Sequence, residues 1–264
     1  MNHLVKAALI VLSLVLSACG GLDRTSISAS PLKYGNTAQF TIEGPNLDKG
    51  ITFVAPKCTN ATELAGSTAT QRVYSCTPNV VGPMTVAVVG GNVLLHSSSF
   101  DIPVPQVTVA TTLGTFVVEL YPANAPVTVN NFLQYVNADF YKNLIFHRVI
   151  ADFMIQGGGF DASILAPTTR DPIKLEIGNG LSNVRGMVAM ARTSALDSAT
   201  SQFFVNTVDN VKLDTDGGGY AVFGKVISGM EAVDAISATP TLSIGLFENL
   251  PVTAVIINSL TQTQ

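Results

Sequence analysis

Two rhythms of apolar and polar positions divide this chain. Between residues 25 and 100, apolar side chains recur at every second position in short runs. Ala38, Phe40 and Ile42 alternate with polar neighbours, residues 51–55 form a second run, and residues 71–76 and 84–89 continue the pattern. A period of two places one set of side chains on each face of a strand, which is the signature of half-buried β-structure. Breakers separate the runs: Gly44-Pro45-Asn46 follows the first, and Val80-Val81-Gly82-Pro83 precedes the last. No apolar residues in this half recur at helical spacing, so the rhythm predicts a small antiparallel β-sandwich of immunoglobulin-like type. Asp101-Ile102-Pro103-Val104-Pro105 comes next. Prolines spaced by one residue favour an extended, semi-rigid connection, so the predicted domain boundary falls there.

From Val107 the pattern changes. Residues 107–110 and 115–120 flank Thr111-Thr112-Leu113-Gly114 and read as a hairpin. Segment 125–138 sets Val129, Phe132, Leu133 and Val136 on one helical face, with Pro126 suited to the first turn. A second helix is expected after Ser228, carrying Met230, Val233 and Ile236 and ending before Pro240. Strand-like runs occupy residues 144–149, 154–157, 186–191, 203–207, 221–227 and 252–258. Many strands with only two helices predict a closed antiparallel β-barrel whose ends the helices cap, so the chain as a whole is mainly β.

Composition adds location to this picture. A chain of 264 residues with 47% hydrophobic and 12% charged side chains can bury two cores, and a net charge of −4 with a pI near 5.3 leaves no basic stripe for nucleic acid. Lys6 precedes an apolar run over residues 7–16, and Leu16-Ser17-Ala18-Cys19 follows. A positive start, a short apolar stretch and small residues before a cut mark a secretory signal, too short for the roughly 20 apolar residues of a membrane span. The tetrapeptide ending at Cys19 resembles the lipobox of bacterial lipoproteins. That resemblance implies cleavage after residue 18 and a membrane anchor on Cys19; an ordinary signal peptide cut nearby is the alternative. Gly20 stands where an aspartate would favour retention at the inner membrane, so an outer-membrane location in the bacterial envelope is expected. The expected units are therefore a signal peptide over 1–18, a sandwich with its linker over 19–104, and a barrel over 105–264. Outside the cytosol the remaining cysteines, Cys58 and Cys76, are expected to form a disulfide. His3, His96 and His147 are scattered, and no metal-ligand spacing exists, so no metal is expected.

The chemistry concentrates in FHRVIADFMIQGGGF, residues 146–160. Arg148 keeps its proton near neutral pH, which makes it a permanent donor and a poor base. Phe153 and Met154 offer aromatic and polarisable surface, as small-ligand sites do. Chemistry here would be electrostatic and steric, with no nucleophile. Ser201 has no histidine and carboxylate arranged to activate it. RGMVAMARTSALDSATSQFFVNT and YAVFGKVISGM follow in order.

Together these three motifs resemble the cyclophilins, the peptidyl-prolyl cis-trans isomerases, and within them the bacterial branch. The similarity runs from about Val107 to the C-terminus. It implies a cyclophilin-like barrel that isomerises X-Pro bonds without a cofactor, acting on proline-containing segments of exported proteins, and a monomer is expected. The family's catalytic arginine falls on Arg148, and Phe153 belongs to the same catalytic group. Gln156 matches the glutamine that bonds the substrate backbone and orients the arginine. Met154, Phe204 and Leu213 complete the proline pocket with Phe153, although Met154 and Phe204 have barrel core as their alternative. Ala191 and Arg192 lie on the segment that pairs with the extended peptide, and Gln202 supports the site. Two positions depart from the eukaryotic pattern. Lys212 stands at the place of a tryptophan, where it is expected to make one wall more polar, and Tyr220 at that of a histidine. His147 is expected to be a hydrogen-bonded structural residue, and the three glycines a tight turn leaving the catalytic strand. An alternative reading remains at this point: an envelope-anchored protein that binds proline-containing peptides or adheres to a partner, with little turnover. Lys212 is the feature that favours it.

Overall fold

The computed structural model describes residues 24–264, so the expected signal segment and Cys19 lie outside the described residues. Residues 26–102 supply seven strands: β1 (Ser26–Ala29), β2 (Ala38–Glu43), β3 (Ile51–Val54), β4 (Cys58–Glu63), β5 (Gln71–Pro78), β6 (Gly82–Gly90) and β7 (Val93–Ile102). They form two antiparallel sheets, in the orders β1-β2-β5-β4 and β3-β6-β7. The alternation in β2 does what its pattern predicts, because Ala38, Phe40 and Ile42 are buried while Gln39 and Glu43 face solvent. Phe40 meets Phe53 of β3 at 5.5 Å between ring centroids and Phe100 of β7 edge-on at 5.3 Å, while Phe53 stacks on Tyr74 of β5 at 4.6 Å. These rings join the two sheets. Cys58 and Cys76 are disulfide-bonded, tying β4 to its neighbour β5 across a sequence separation of 18. Strands β1, β4 and β7 lack the alternating signal. In β4, CTNATE has every side chain but Cys58 exposed, as an edge strand allows. Gly82 and Pro83 open β6 instead of breaking the chain, since a proline at a strand's start costs no ladder bond.

The second half contains β8 (Gln106–Thr111), β9 (Gly114–Leu120), α1 (Pro126–Val136), β10 (Leu144–Ile150), β11 (Met154–Asp161), β12 (Met187–Met190), β13 (Phe203–Asn206), β14 (Val222–Ser228), α2 (Met230–Ser237), β15 (Thr241–Ile244), β16 (Phe247–Pro251) and β17 (Ile257–Gln262). Eight strands pair in the order β10-β11-β13-β12-β14-β9-β8-β17, and β15-β16 is a separate hairpin. The barrel is nearly closed. Its end strands meet through a single bridge, Ile145 with Ile256, flanked by bonds from the Phe146 amide to the Val255 carbonyl (3.0 Å) and from the Asn143 amide to the Ile257 carbonyl (2.9 Å). Both helices are present as their apolar stripes predict. Phe132 of α1 packs into a ring cluster with Tyr141, Phe203 and Phe223, which plugs one opening.

Two sequence expectations are corrected. Residues 252–258 are not one strand: β16 ends at Pro251, β17 begins at Ile257, and the intervening segment crosses the gap in the barrel. Within it Val255 is buried at the seam, Ile256 is half-buried and Val252 is 58% exposed, a spacing that fits no single period-two strand. The three glycines, Gly157 to Gly159, lie inside β11 and form no turn.

Candidate active site

Alternation along three adjacent strands builds the site. On β11, Ile155 belongs to the main core, and its neighbour Met154 belongs to a second apolar cluster on the other face of the sheet. On β13, Phe203 and Val205 face the core and Phe204 the second cluster; on β12, Val188 and Met190 face the core and Ala189 the cluster. Cross-strand register lines up one row over five strands. Arg148 of β10 opposes Gln156 of β11, which opposes Phe204 of β13, then Ala189 of β12, then Val222 of β14. A cation and an amide thus stand at one end of an apolar floor that is separate from the barrel core.

Above this row lies a cleft of about 270 Å³ lined by Arg148, Phe153, Met154, Gln156, Ala191, Arg192, Phe204, Leu213 and Tyr220. Nine of the residues singled out in the sequence therefore share one cavity. Met154 and Phe204 are 2% and 4% exposed, so they are buried and still form its floor. Gln202 stands behind it: Gln156 Nε2 donates to Gln202 Oε1 at 2.9 Å, and the Ala191 amide donates to the Gln202 carbonyl at 2.9 Å. Gln156 is held by Gln202 and makes no hydrogen bond to Arg148. Lys212 is exposed and does not line the cleft; Leu213 turns inward from the same short 3-10 turn, so the polar wall expected from Lys212 is not formed.

The glycines are explained by closeness. A Cβ on Gly159 would lie 2.6 Å from the Gln202 side chain, and one on Gly158, whose φ is +81°, would lie 2.8 Å from the Tyr141 ring. Bare backbone lets the Gln202 amide lie flat on β11 and reach Gln156.

Arg148 is half-buried. The two ion pairs among the described residues, Arg72 with Glu63 and Arg185 with Asp234, are elsewhere, so its guanidinium meets the cleft without a carboxylate partner. Arg192 is engaged differently. It donates from Nε to the Gly219 carbonyl (3.0 Å) and from Nη2 to the carbonyls of Gly217 (2.5 Å) and Gly219 (2.8 Å). Its guanidinium lies 4.7 Å from the Tyr220 ring centre, and Tyr220 meets Phe204 edge-on at 5.7 Å. Arg192 thus fastens the wall that carries Tyr220 more than it offers charge to a ligand.

His147 sits next to Arg148 in sequence but is buried off the cleft, edge-on to Phe160 at 4.9 Å. Burial pushes its pKa down to about 4, against the opposing pull of the Ile145 backbone and Gln202. Its Nδ1 has no hydrogen-bond partner among the described residues, and the histidine packs as a neutral buried ring.

Sequence reasoning missed an asparagine network behind the pocket. Asn210 Nδ2 donates to the Phe153 carbonyl (2.7 Å) and to Asn206 Oδ1 (2.8 Å), and Asn206 Nδ2 reaches Asn183 Oδ1 at 3.2 Å. The Asn183 amide and side chain both donate to Asp214 Oδ1 at 2.8 Å, and Ser182 donates to Oδ2. Burial raises the Asp214 pKa, but these bonds outweigh it and hold the carboxyl below its ordinary value. Phe153 and Leu213, which both line the cleft, are therefore fixed by one polar chain. Its only trace in the sequence is Asn206, a poor strand former closing the apolar run Phe203-Phe204-Val205.

Comparison with known proteins agrees with this geometry. Residues 106–262 match the family described as cyclophilin type peptidyl-prolyl cis-trans isomerase/CLD. A peptidyl-prolyl cis-trans isomerase of Acinetobacter baylyi is 50% identical over 169 residues, 63% of this chain and 88% of that protein. Peptidyl-prolyl cis-trans isomerase B of Escherichia coli is 47% identical over 164 residues, covering 60% of this chain and all of that protein. Among solved structures, a cyclophilin-type isomerase of Cryptosporidium parvum aligns with a TM-score of 0.52 at 27% identity, covering 61% of this chain and 98% of that one. This chain belongs to the cyclophilin family. It is a peptidyl-prolyl cis-trans isomerase, and proline-containing peptides are the family's substrates.

Proposed function

We propose that the chain isomerises X-Pro bonds of exported proteins while anchored in the bacterial envelope, and that Arg148 donates to the prolyl nitrogen as the bond twists. The observation that carries this reading is the row that sets a carboxylate-free Arg148 beside Gln156 at the edge of the Met154 and Phe204 floor. Amide resonance holds the peptide bond planar behind a barrier of about 18–20 kcal/mol. Twisting localises a lone pair on nitrogen, and a guanidinium donating there stabilises the twisted state more than the planar one. Uncatalysed X-Pro isomerisation takes tens to hundreds of seconds, so millisecond turnover requires about five decades, or roughly 7 kcal/mol. A hydrogen bond to a charged group contributes about 1.5–3 kcal/mol. Holding the ring against Phe153, Met154, Phe204 and Leu213, while Gln156 fixes the peptide backbone and the carbonyl before the proline swings, supplies the rest. Ala191 lies along the path of the extended peptide. No covalent intermediate is involved, and the equilibrium of the free substrate is unchanged.

Lipidation of Cys19 would attach the molecule to the outer membrane, and residues 19–104 would hold the isomerase, residues 105–264, away from it. We infer an immunoglobulin-like identity for the sandwich. In chain order its strands pair first-second-fifth-fourth and third-sixth-seventh, the arrangement of constant-type immunoglobulin domains, although its disulfide lies within one sheet. Protease-coupled proline isomerisation tests the activity: the wild type accelerates the reaction and Arg148→Ala does so roughly 10- to 150-fold less, and equal rates would remove the arginine mechanism. Fractionation of cells carrying Cys19→Ala tests the anchor, which an unchanged membrane association would eliminate. Lys212, the feature that favoured a pure binder, lies outside the cleft, and nothing else supports that alternative.

A further inference from the structure

At the end of the sandwich remote from the barrel, the β6-β7 hairpin carries three exposed apolar residues in succession, Val93, Leu94 and Leu95, at 63%, 58% and 38% exposure. Register explains their presentation. Val88 pairs with His96 and Val89 with Leu94, so Leu95 is an extra residue that breaks the alternation and turns both leucines to one side. They line an open basin of about 900 Å³ together with Arg24, Lys49 and His96. No Asp or Glu lines that basin; Asp48, the neighbour of Lys49, is exposed outside it, and Glu43 lines an adjoining cavity with Arg24. Gly90 pairs with Val93 at this end, and Gly82 pairs with Ile102, which leads into the barrel, at the other. The ten residues of β7 separate the two ends by about 33 Å.

We propose that this basin and hairpin tip rest on a bilayer surface, with Val93, Leu94 and Leu95 entering the interface and Arg24 and Lys49 meeting anionic phospholipid headgroups. The inference depends on the lipid-anchor reading, because the tether selects the occupant. Five residue steps separate Cys19 from Arg24, so a lipidated Cys19 confines Arg24 to within about 18 Å of the membrane. Only one end of the sandwich can then face the lipid, and it is the end with exposed leucines and with Arg24 and Lys49, neither of which forms an ion pair among the described residues. Apolar side chains combined with basic ones are what an interfacial contact requires. The contact would fix the sandwich upright and hold the barrel outward.

The chain contains no tryptophan, so one introduced tryptophan reports one place. The full lipidated protein carrying Leu94→Trp, or Val93→Trp where the first folds poorly, is reconstituted in phosphatidylglycerol and in phosphatidylcholine vesicles. Val80→Trp, at the opposite end, is the control. The expected result is a blue-shifted emission that brominated phospholipid largely quenches, strongest with phosphatidylglycerol, reduced by Lys49→Glu, and missing from the control. An unshifted tip reporter on protein that the vesicles retain overturns the inference and leaves the anchor standing. Equal shifts on both lipids overturn the role of the cations. A shift that follows protein density at fixed lipid places a second copy on the patch and also overturns it. Protein that the vesicles do not retain at all removes the anchor reading, and this inference with it.

Discussion

Arg148 and His147 are adjacent on β10 and face opposite environments, so replacing them has opposite consequences. Arg148 lines the cleft and forms no ion pair among the described residues, so Arg148→Ala is expected to leave stability within about 0.5 kcal/mol of wild type. Its catalytic cost should be roughly 10- to 150-fold in kcat/KM, the equivalent of one hydrogen bond to a charged group, read in the coupled isomerisation assay. His147 is the reverse case. The folded protein keeps it neutral with a pKa of about 4, whereas an unfolded chain protonates it near 6.5. Between those values the unfolded state binds more protons, so the stability present above pH 6.5 declines as pH falls and is gone below 4. The contribution amounts to about 3 kcal/mol. Denaturant unfolding at pH 7.5 and 4.5 should show wild type losing about that much more than His147→Gln; equal losses would refute it. At this scale the sequence was legible where chemistry is carried by unusual residues in a fixed order, as with Arg148, Gln156 and the apolar cluster. It was silent on Asn183, Asn206 and Asn210, because their work depends on loops brought together from distant positions.

Elements explain how those residues are held. The wall that carries Leu213 and Tyr220 is two consecutive 3-10 turns, Val211–Asp214 and Asp216–Gly218, with little apolar surface of its own. Arg192 fastens one end through the Gly217 and Gly219 carbonyls, and Asp214 fastens the other through Ser182 and Asn183. Arg192→Ala should therefore loosen the wall more than the chemistry, raising KM roughly tenfold while kcat changes little. A fall in kcat with unchanged KM would give Arg192 a direct part in catalysis instead. The β4-β5 disulfide acts on a different element. Closing a loop of 18 residues stabilises by about 3 kcal/mol, so reduction should lower the melting temperature of the sandwich. Isomerase turnover should not respond, since no cleft residue comes from that half. Strands with period-two burial, such as β2, and the two helices were readable from their apolar positions. Edge strand β4 and the crossing at residues 252–256 were not, because the first exposes nearly all its side chains and the path of the second is set by a bridge to a distant strand, Ile256 with Ile145.

At the scale of the whole molecule, two units with separate sheets are joined by more than the prolines between them, and no pattern along the chain announces it. Tyr34, in the connection between β1 and β2, is 1% exposed. Its carbonyl accepts a bond from Gln262 Nε2 at 3.0 Å. Gln262, in the last barrel strand, also accepts from Lys33 at its carbonyl and from Asn36 at Oε1, both at 2.9 Å, and Asn137 at the end of α1 donates to Asn36 Oδ1 at 2.8 Å. Burial raises the Tyr34 pKa even though a bond to Asn130 of α1 opposes the shift. One short loop is thus clasped between the barrel's final strand and its first helix. Truncating a buried aromatic costs about 3–5 kcal/mol, which exceeds what the surrounding half-exposed amide bonds contribute. Tyr34→Ala should accordingly separate a shared melting transition into two in calorimetry, with the barrel transition still accompanied by isomerase activity. The rate measured on short peptides should stay at the wild-type level, because the clasp touches no residue of the cleft. A single undisturbed transition would mean that the linker and strand ends alone couple the halves, and that Tyr34 is buried without joining them.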